Sequence, residues 1–178
     1  MRAFISVGIP DKIKKAALSI FGEEKAEGIV PVMEDAMHIT IAFLGEISKE
    51  DAERVALSLK GLRVAPFMAS LRGLSSFPER EPRVVFINIS SGAEDLEGLH
   101  KKASALAKQA INIKRENFVP HLTIARVKSR GGIFLAKEKI CENRDRDFGS
   151  FEVTSISFKE SKLTSSGPIH RELSRIEF

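Results

Sequence analysis

The tract His38-Ile39-Thr40-Ile41-Ala42 recurs as His121-Leu122-Thr123-Ile124-Ala125, with Leu for Ile at one position. The segments around it keep step. Arg2 to Arg83 is a shift of 81, His38 to His121 one of 83, and Arg63 to Phe148 one of 85. Such spacing marks an internal repeat, and the copies of a repeated unit bury their apolar faces against each other. The 178 residues are enough for one domain, on a prior of about 100 to 200 residues per domain. The expectation is a single bilobal domain with a pseudo-twofold axis, its sequence halves running roughly from 1 to 77 and from 83 to 178.

Each half reads as strand, helix, strand, helix, strand. In the first, Arg2 to Gly8 is a short apolar strand, and Asp11 opens a helix with Ile13, Ala17, Ile20 and Phe21 on one stripe. Met37 to Leu44 is the second strand, ended by Gly45. Ser48-Lys49-Glu50-Asp51 has the form of a capping box ahead of a helix carrying Ala52, Val55, Leu59 and Leu62 on one face. Arg63 to Leu71 reads as a strand, and Ser75 to Pro82, with two prolines, reads as the boundary. In the second half Arg83 to Ile89 is a strand, and Ser91 with Glu94 is expected to cap a helix with Leu96, Leu99, Ala103, Leu106 and Ala110 on its stripe. His121 to Val127 is the next strand, and Gly131-Gly132 is expected to break before a helix over 133–140. Phe148 to Phe158 is a strand, and Ile169 to Phe178 closes the chain.

Composition narrows the function classes. No apolar run approaches the ~18 residues of a membrane helix, and the opening apolar run is stopped by Pro10 and Asp11 before a signal-peptide core builds. The expectation is a soluble, cytoplasmic protein. The single cysteine, Cys141, excludes an internal disulfide framework and a Cys-rich metal fold. No His pair stands at i, i+4, no Asp-rich ligand triplet appears, and there is no GxxxxGK[ST] loop, so no metal and no cofactor are expected. A net charge of +4 and a pI near 9.3 lean toward an anionic partner such as nucleic acid. All 12 aromatic residues are Phe, so base stacking would use Phe, His or Arg planes.

Side chains alternate across a strand, so His38 and Thr40 share one face while Ile39 and Ile41 share the other, and the second tract repeats the arrangement. One His-x-Thr is ordinary strand sequence. Two at equivalent positions of a repeat point to a shared site, because packing alone would hold the apolar positions and leave the polar ones free to drift. A twofold arrangement can bring the two faces together, with two imidazoles flanking one ligand. Imidazole ionises near neutral pH, so such a pair can take a proton with one ring and give one with the other. Cleavage of a phosphodiester is the leading candidate. His38 and His121 would be its acid and base, Thr40 and Thr123 would hydrogen-bond the nonbridging oxygens, and Arg126 would add fixed charge.

These tracts resemble the two-histidine phosphoesterase superfamily, and their surroundings are similar to its 2′-5′ RNA ligase branch, also called RNA 2′,3′-cyclic phosphodiesterase. The resemblance runs nearly end to end. It takes in Arg2-Ala3-Phe4-Ile5, the stretch from His38 to Gly45, Phe77-Pro78 to Arg83-Val84-Val85, Phe118 to Arg126, and Ser161-Lys162-Leu163 to Gly167-Pro168. It implies an α+β fold with antiparallel sheets facing a central, basic cleft, and metal-free hydrolysis of a 2′,3′-cyclic phosphate to a 2′-phosphate. By position, His38 would protonate the departing 3′ oxygen, His121 would activate water, and Thr40, Thr123 and Arg126 would hold the phosphate. The family is also known for joining tRNA halves through a 2′-5′ linkage, the same chemistry reversed. Phe86 stands where the family often has Trp, and His170 where Tyr commonly follows Gly-Pro-x.

Further positions carry two readings each. Phe43 either lines a nucleotide pocket or packs in the core, and His170 either contacts a base or phosphate or is solvated. Both are kept as candidate substrate-binding residues beside Arg126. His100, next to Lys101 and Lys102, is expected at the surface, and Lys12, Lys14 and Lys15 on a solvated helix face. The expected partner is RNA bearing a 3′-terminal 2′,3′-cyclic phosphate, met by a monomer. Ligation as the main reaction and a non-catalytic module that binds RNA 3′ ends are the alternatives.

Overall fold

A computed structural model describes residues 1–22, 28–113, 117–164 and 167–178; Ser165 and Ser166, within the tract from Ser161 to Pro168, lie outside them. In chain order the elements are β1 (Arg2–Gly8), α1 (Asp11–Leu18), β2 (Ile29–Pro31), a 3₁₀ turn (Glu34–Ala36), β3 (His38–Glu46), α2 (Lys49–Leu59), β4 (Phe67–Phe77), β5 (Val84–Ser91), α3 (Ala93–Ala110), β6 (His121–Val127), α4 (Arg130–Glu142), β7 (Asp147–Val153), β8 (Ser155–Thr164) and β9 (Gly167–Glu177). The expected α+β class is what forms. The main strands follow the order β7-β4-β5-β6-β3-β1-β8-β9, with β2 added beside β6. All pairings are antiparallel.

The two motif strands, β3 and β6, meet at the middle of this order through one pair, Ile39 opposite Leu122. Around that point the strands mirror each other: β1 matches β5, β8 matches β4 and β9 matches β7. The match involves an exchange. Strand β4, from the first half of the chain, lies between β5 and β7 of the second, while β8 of the second half lies against β1 of the first. Each half of the sequence therefore supplies strands to both sides of the centre. Only Thr154 separates β7 from β8, although they stand at the first and seventh places of the order, so the sheet has to curl to bring them together.

Several boundaries differ from the sequence expectation for local reasons. Strand β4 begins after Pro66, which has no N–H to give a ladder, and continues to Phe77, so the connection to β5 is shorter than the turn-rich composition suggests. The expected strand from Phe148 to Phe158 is two strands on opposite sides of the centre. Ser48 and Asp51 do form the capping box of α2. Helix α3, in contrast, is not capped by Ser91 and Glu94. Ser91 stays paired with Ser70 in the β5 ladder, and Gly92 takes the N-cap position at φ 81°. A Cβ there would lie 2.3 Å from the Met68 carbonyl oxygen, so only glycine fits. The pair Gly131-Gly132 does not break ahead of α4 but forms its first turn, where the Gly132 N–H donates to the Ser129 hydroxyl at 3.2 Å. Strand β2 has no counterpart in the sequence expectation.

The apolar faces of β1, β3, β5 and β6 bury Ile5, Val7, Ile39, Ile41, Ile87, Leu122 and Ile124, and Leu59, Leu96 and Leu99 of α2 and α3 close the core over them. No helix among the described residues is long and apolar enough to cross a membrane. Because Ile39 and Leu122 are fully buried and face each other at the one ladder pair between the motif strands, Ile39→Ala should lower the unfolding free energy by about 2–5 kcal/mol. Urea denaturation monitored by circular dichroism checks this value.

Candidate active site

Residues directly opposite in an antiparallel ladder lie on the same face of the sheet. From Ile39 opposite Leu122, one step each way puts His38 across from Thr123 and Thr40 across from His121. All four polar side chains thus share the face opposite the buried Ile39, Ile41, Leu122 and Ile124. The two histidines are diagonal neighbours, about 7–8 Å apart by general sheet geometry. Exposure repeats as well: in both strands the His and Thr are half-buried while the intervening residues are buried.

The two rings are held in the same way. His38 Nδ1 is 2.7 Å from the Ala36 carbonyl oxygen, and His121 Nδ1 is 2.7 Å from that of Val119. A carbonyl only accepts, so both Nδ1 atoms carry the hydrogen and both Nε2 atoms are left for a ligand. Aromatic neighbours fix the ring planes. Phe4 of β1 stacks on His38 at 4.8 Å and His170 of β9 meets its edge at 5.3 Å; Phe86 of β5 lies against His121 at 5.1 Å and Phe77 of β4 meets it edge-on at 5.4 Å. Phe86 and His170 therefore each touch one of the motif histidines.

The electrostatics of the two rings differ. Burial, then the neighbouring His170, and further the charges of Lys159 and His121, push His38 down from 6.5 to about 4, against the opposing Ala36 hydrogen bond. His170 is likewise lowered by burial and by Lys159. Its Nδ1 is buried without a hydrogen-bond partner among the described residues. The solvated alternative for His170 does not hold, since the half-buried ring packs edge-on against the stacked pair of Phe4 and His38.

Beyond the histidines both motif strands carry a β-bulge at the same place. In the β1–β3 ladder Ile5 pairs with Ala42 and Ser6 with Thr40, leaving Ile41 over; in the β5–β6 ladder Val85 pairs with Ala125 and Phe86 with Thr123, leaving Ile124 over. An extra residue resets the alternation. Phe43 and Arg126, which strict alternation would send to the core side, are thereby turned onto the face of the histidines, and both are exposed. Phe43 is not core: it is 53% exposed and lines a cleft of about 190 Å³ with Thr40, Phe77, His100, Phe118 and His121. The two equivalent positions thus hold a flat apolar ring on one side and a guanidinium on the other.

His100 does not sit at the surface as expected. It is half-buried, its Nδ1 lies 2.7 Å from the Ile41 carbonyl oxygen, and its ring stacks on Phe118 at 4.4 Å with an interplanar angle of 3°. The signal in the sequence was its place four residues after Leu96, on the edge of the apolar stripe of α3. Lys159, half-buried near His38 and His170, was also missed; it lies between the buried Phe158 and Glu160 on β8. Among the described residues no group of three or more His, Cys, Asp or Glu is placed to hold a metal ion.

Comparison with known proteins gives this geometry a family. A sequence model of the 2′-5′ RNA ligase superfamily matches residues 24–162. The chain is 34% identical over 173 residues to the RNA 2′,3′-cyclic phosphodiesterase of Methanocaldococcus jannaschii, covering 96% of each chain. It is 40% identical over 139 residues to that of Aquifex aeolicus, covering 75% of this chain and 73% of the relative. The crystal structure of the Thermus thermophilus protein TT0787 superposes with a TM-score of 0.77 at 28% identity, covering 99% of this chain and 97% of that one. With the match spanning most of the chain and both His-x-Thr strands inside it, the protein belongs to the 2′-5′ RNA ligase superfamily.

Proposed function

We propose that the protein is a metal-independent RNA 2′,3′-cyclic phosphodiesterase that hydrolyses a terminal 2′,3′-cyclic phosphate to a 2′-phosphate. The observation that carries this reading is the matched pair of imidazoles on one sheet face, each with Nδ1 tied to a carbonyl and Nε2 left for a ligand. The relatives named for this activity support it. His121 Nε2 takes a proton from water as the water oxygen bonds to phosphorus. His38 Nε2 gives a proton to the 3′ oxygen as the phosphorus–O3′ bond breaks, leaving a 3′-hydroxyl and a 2′-phosphate. Thr40, Thr123 and Arg126 hold the nonbridging oxygens, where negative charge grows in the transition state. Phe43 and His170 flank the bound nucleotide. In this reading the protein acts as a monomer in the cytoplasm on RNA 3′ ends.

The low pKa of His38 makes the ring neutral near pH 7 in the free protein, so its acid role requires the substrate to bring the proton affinity back. An anionic phosphate beside the ring does this by favouring the charged form. The reading therefore predicts that His38, followed by NMR, titrates near 4 in the free protein and moves upward when a nucleoside 2′-phosphate is bound. Stability follows the same linkage. Because folding lowers this pKa, the unfolded chain binds the proton more readily between pH 6.5 and 4. The contribution of His38 to stability is complete above about pH 6.5 and is lost as the pH falls toward 4. Thermal melts of His38→Gln should lose less stability than the wild type over that window.

Kinetics on an RNA ending in a 2′,3′-cyclic phosphate test catalysis directly. Replacing either His38 or His121 with Ala should lower kcat by roughly 10²- to 10⁴-fold with a much smaller change in binding. The double variant should lose less than the product of the two single losses, since both groups act in one transition state. Arg126→Ala should raise KM as well as lower the rate, and excess EDTA should leave wild-type activity intact. Near-full turnover in either His variant would overturn acid–base catalysis by that residue, and a wild type that binds the RNA without turning it over would favour the binding-module alternative.

A further inference from the structure

The two bulges of the motif strands are equivalent in position but are held by different groups. A residue left out of a ladder has a carbonyl that must find a donor elsewhere. At Ile124 the donor is the backbone N–H of Val32, at 2.8 Å. At Ile41 it is the side chain of His100, reaching from α3 at 2.7 Å, with the Ser104 hydroxyl 3.5 Å from the same nitrogen. Nothing in the repeat demands a histidine there, since the other copy manages with main chain alone.

We propose that His100 is a positioning residue of the active site: its Nδ1–H holds the Ile41 bulge and thereby sets the side chains of Thr40 and Phe43 on the cleft face. This rests on the hydrolase reading above. Ile41 directly follows Thr40, and the bulge is what turns Phe43 toward the histidines, so a strand that lost the bulge would shift one side chain and flip the other. The ring of His100 is itself fixed by its parallel stack on Phe118. Phe118 precedes Val119, whose carbonyl holds His121. One imidazole thus braces the strand of the first motif against the segment that enters the second. Displacements of about 1 Å in a catalytic group suffice to cost on the order of 10²-fold in rate, which makes such a brace consequential.

The inference is tested with two replacements of the same residue. His100→Phe keeps a ring to stack on Phe118 and removes the donor, while His100→Asn keeps a donor close to the Nδ1 position. With the cyclic-phosphate RNA, His100→Phe should lower kcat by roughly 10- to 100-fold with a smaller change in KM, and His100→Asn should recover most of that loss. Coupling separates positioning from general destabilisation. Combined with Thr40→Val, His100→Phe should cost less than the product of the two single losses, whereas with Thr123→Val the losses should multiply, because the Ile124 bulge has its own donor. Multiplication in both cases, or no recovery by Asn, would overturn the proposal. A wild-type protein inactive on the cyclic phosphate would instead sink the hydrolase reading. The brace is then still decided by NMR: the wild-type His100 ring should be the Nδ1–H tautomer, and His100→Phe should shift the amides of Thr40 and Phe43 but not those of Thr123 and Arg126. An Nε2–H tautomer, or equal shifts in both strands, contradicts it. Should His100→Phe not fold, the tautomer of the wild-type ring and the kinetics of His100→Asn decide the matter, with Asn activity reduced about 100-fold or more counting against the brace.

Discussion

The site depends on a single ladder contact. Ile39 opposite Leu122 is the one pair that joins β3 to β6, and its antiparallel sense does two things at once. It puts each histidine across from the threonine of the other copy, and it buries the apolar residues of both motifs on the far side of the sheet. A slip of one residue would move the polar set of one strand to the core face and bury a histidine and a threonine there without partners. The register is therefore protected by the cost of that burial as much as by the few hydrogen bonds of the junction.

Symmetry supplies the pair of rings, and departures from symmetry make them unequal. Each imidazole has a Phe from the neighbouring strand against it and a second ring at its edge, but the edge group is His170 for His38 and Phe77 for His121. Beyond the effect of burial, His170 and Lys159 lower the proton affinity of His38, an influence that an apolar Phe does not exert. Two residues beyond the bulges the copies differ again, with Phe43 in one and Arg126 in the other. A duplicated fold that kept both halves alike would offer two identical groups, whereas acid–base chemistry on one phosphorus needs two that differ.

The candidate site residues are legible because the His-x-Thr tracts repeat almost literally and each lies in a strand whose alternation is plain. The α+β class and most elements were legible for the same reason, as apolar periodicities bounded by Gly, Pro and capping residues. What could not be read was partner choice. Nothing local in the sequence says that β4 and β8 exchange places, or that the run from Phe148 to Phe158 divides at Thr154 between two sides of the sheet. The bulges at Ile41 and Ile124 leave no mark in a pattern of period two, and a Phe beside buried residues reads equally as core or as pocket lining. His100 was placed at the surface for its lysine neighbours, although a carbonyl distant in sequence determines its position.

The central claim, hydrolysis of the cyclic phosphate at its phosphorus–O3′ bond, is tested most directly by the identity of the product ends. An RNA oligonucleotide ending in a 2′,3′-cyclic phosphate would be incubated with the protein, with and without an RNA bearing a 5′-hydroxyl, and the ends mapped by chromatography and phosphorus NMR. The account predicts a 2′-phosphate beside a free 3′-hydroxyl under both conditions. An unaltered cyclic phosphate, a 3′-phosphate, or a joined strand in place of hydrolysis would contradict it.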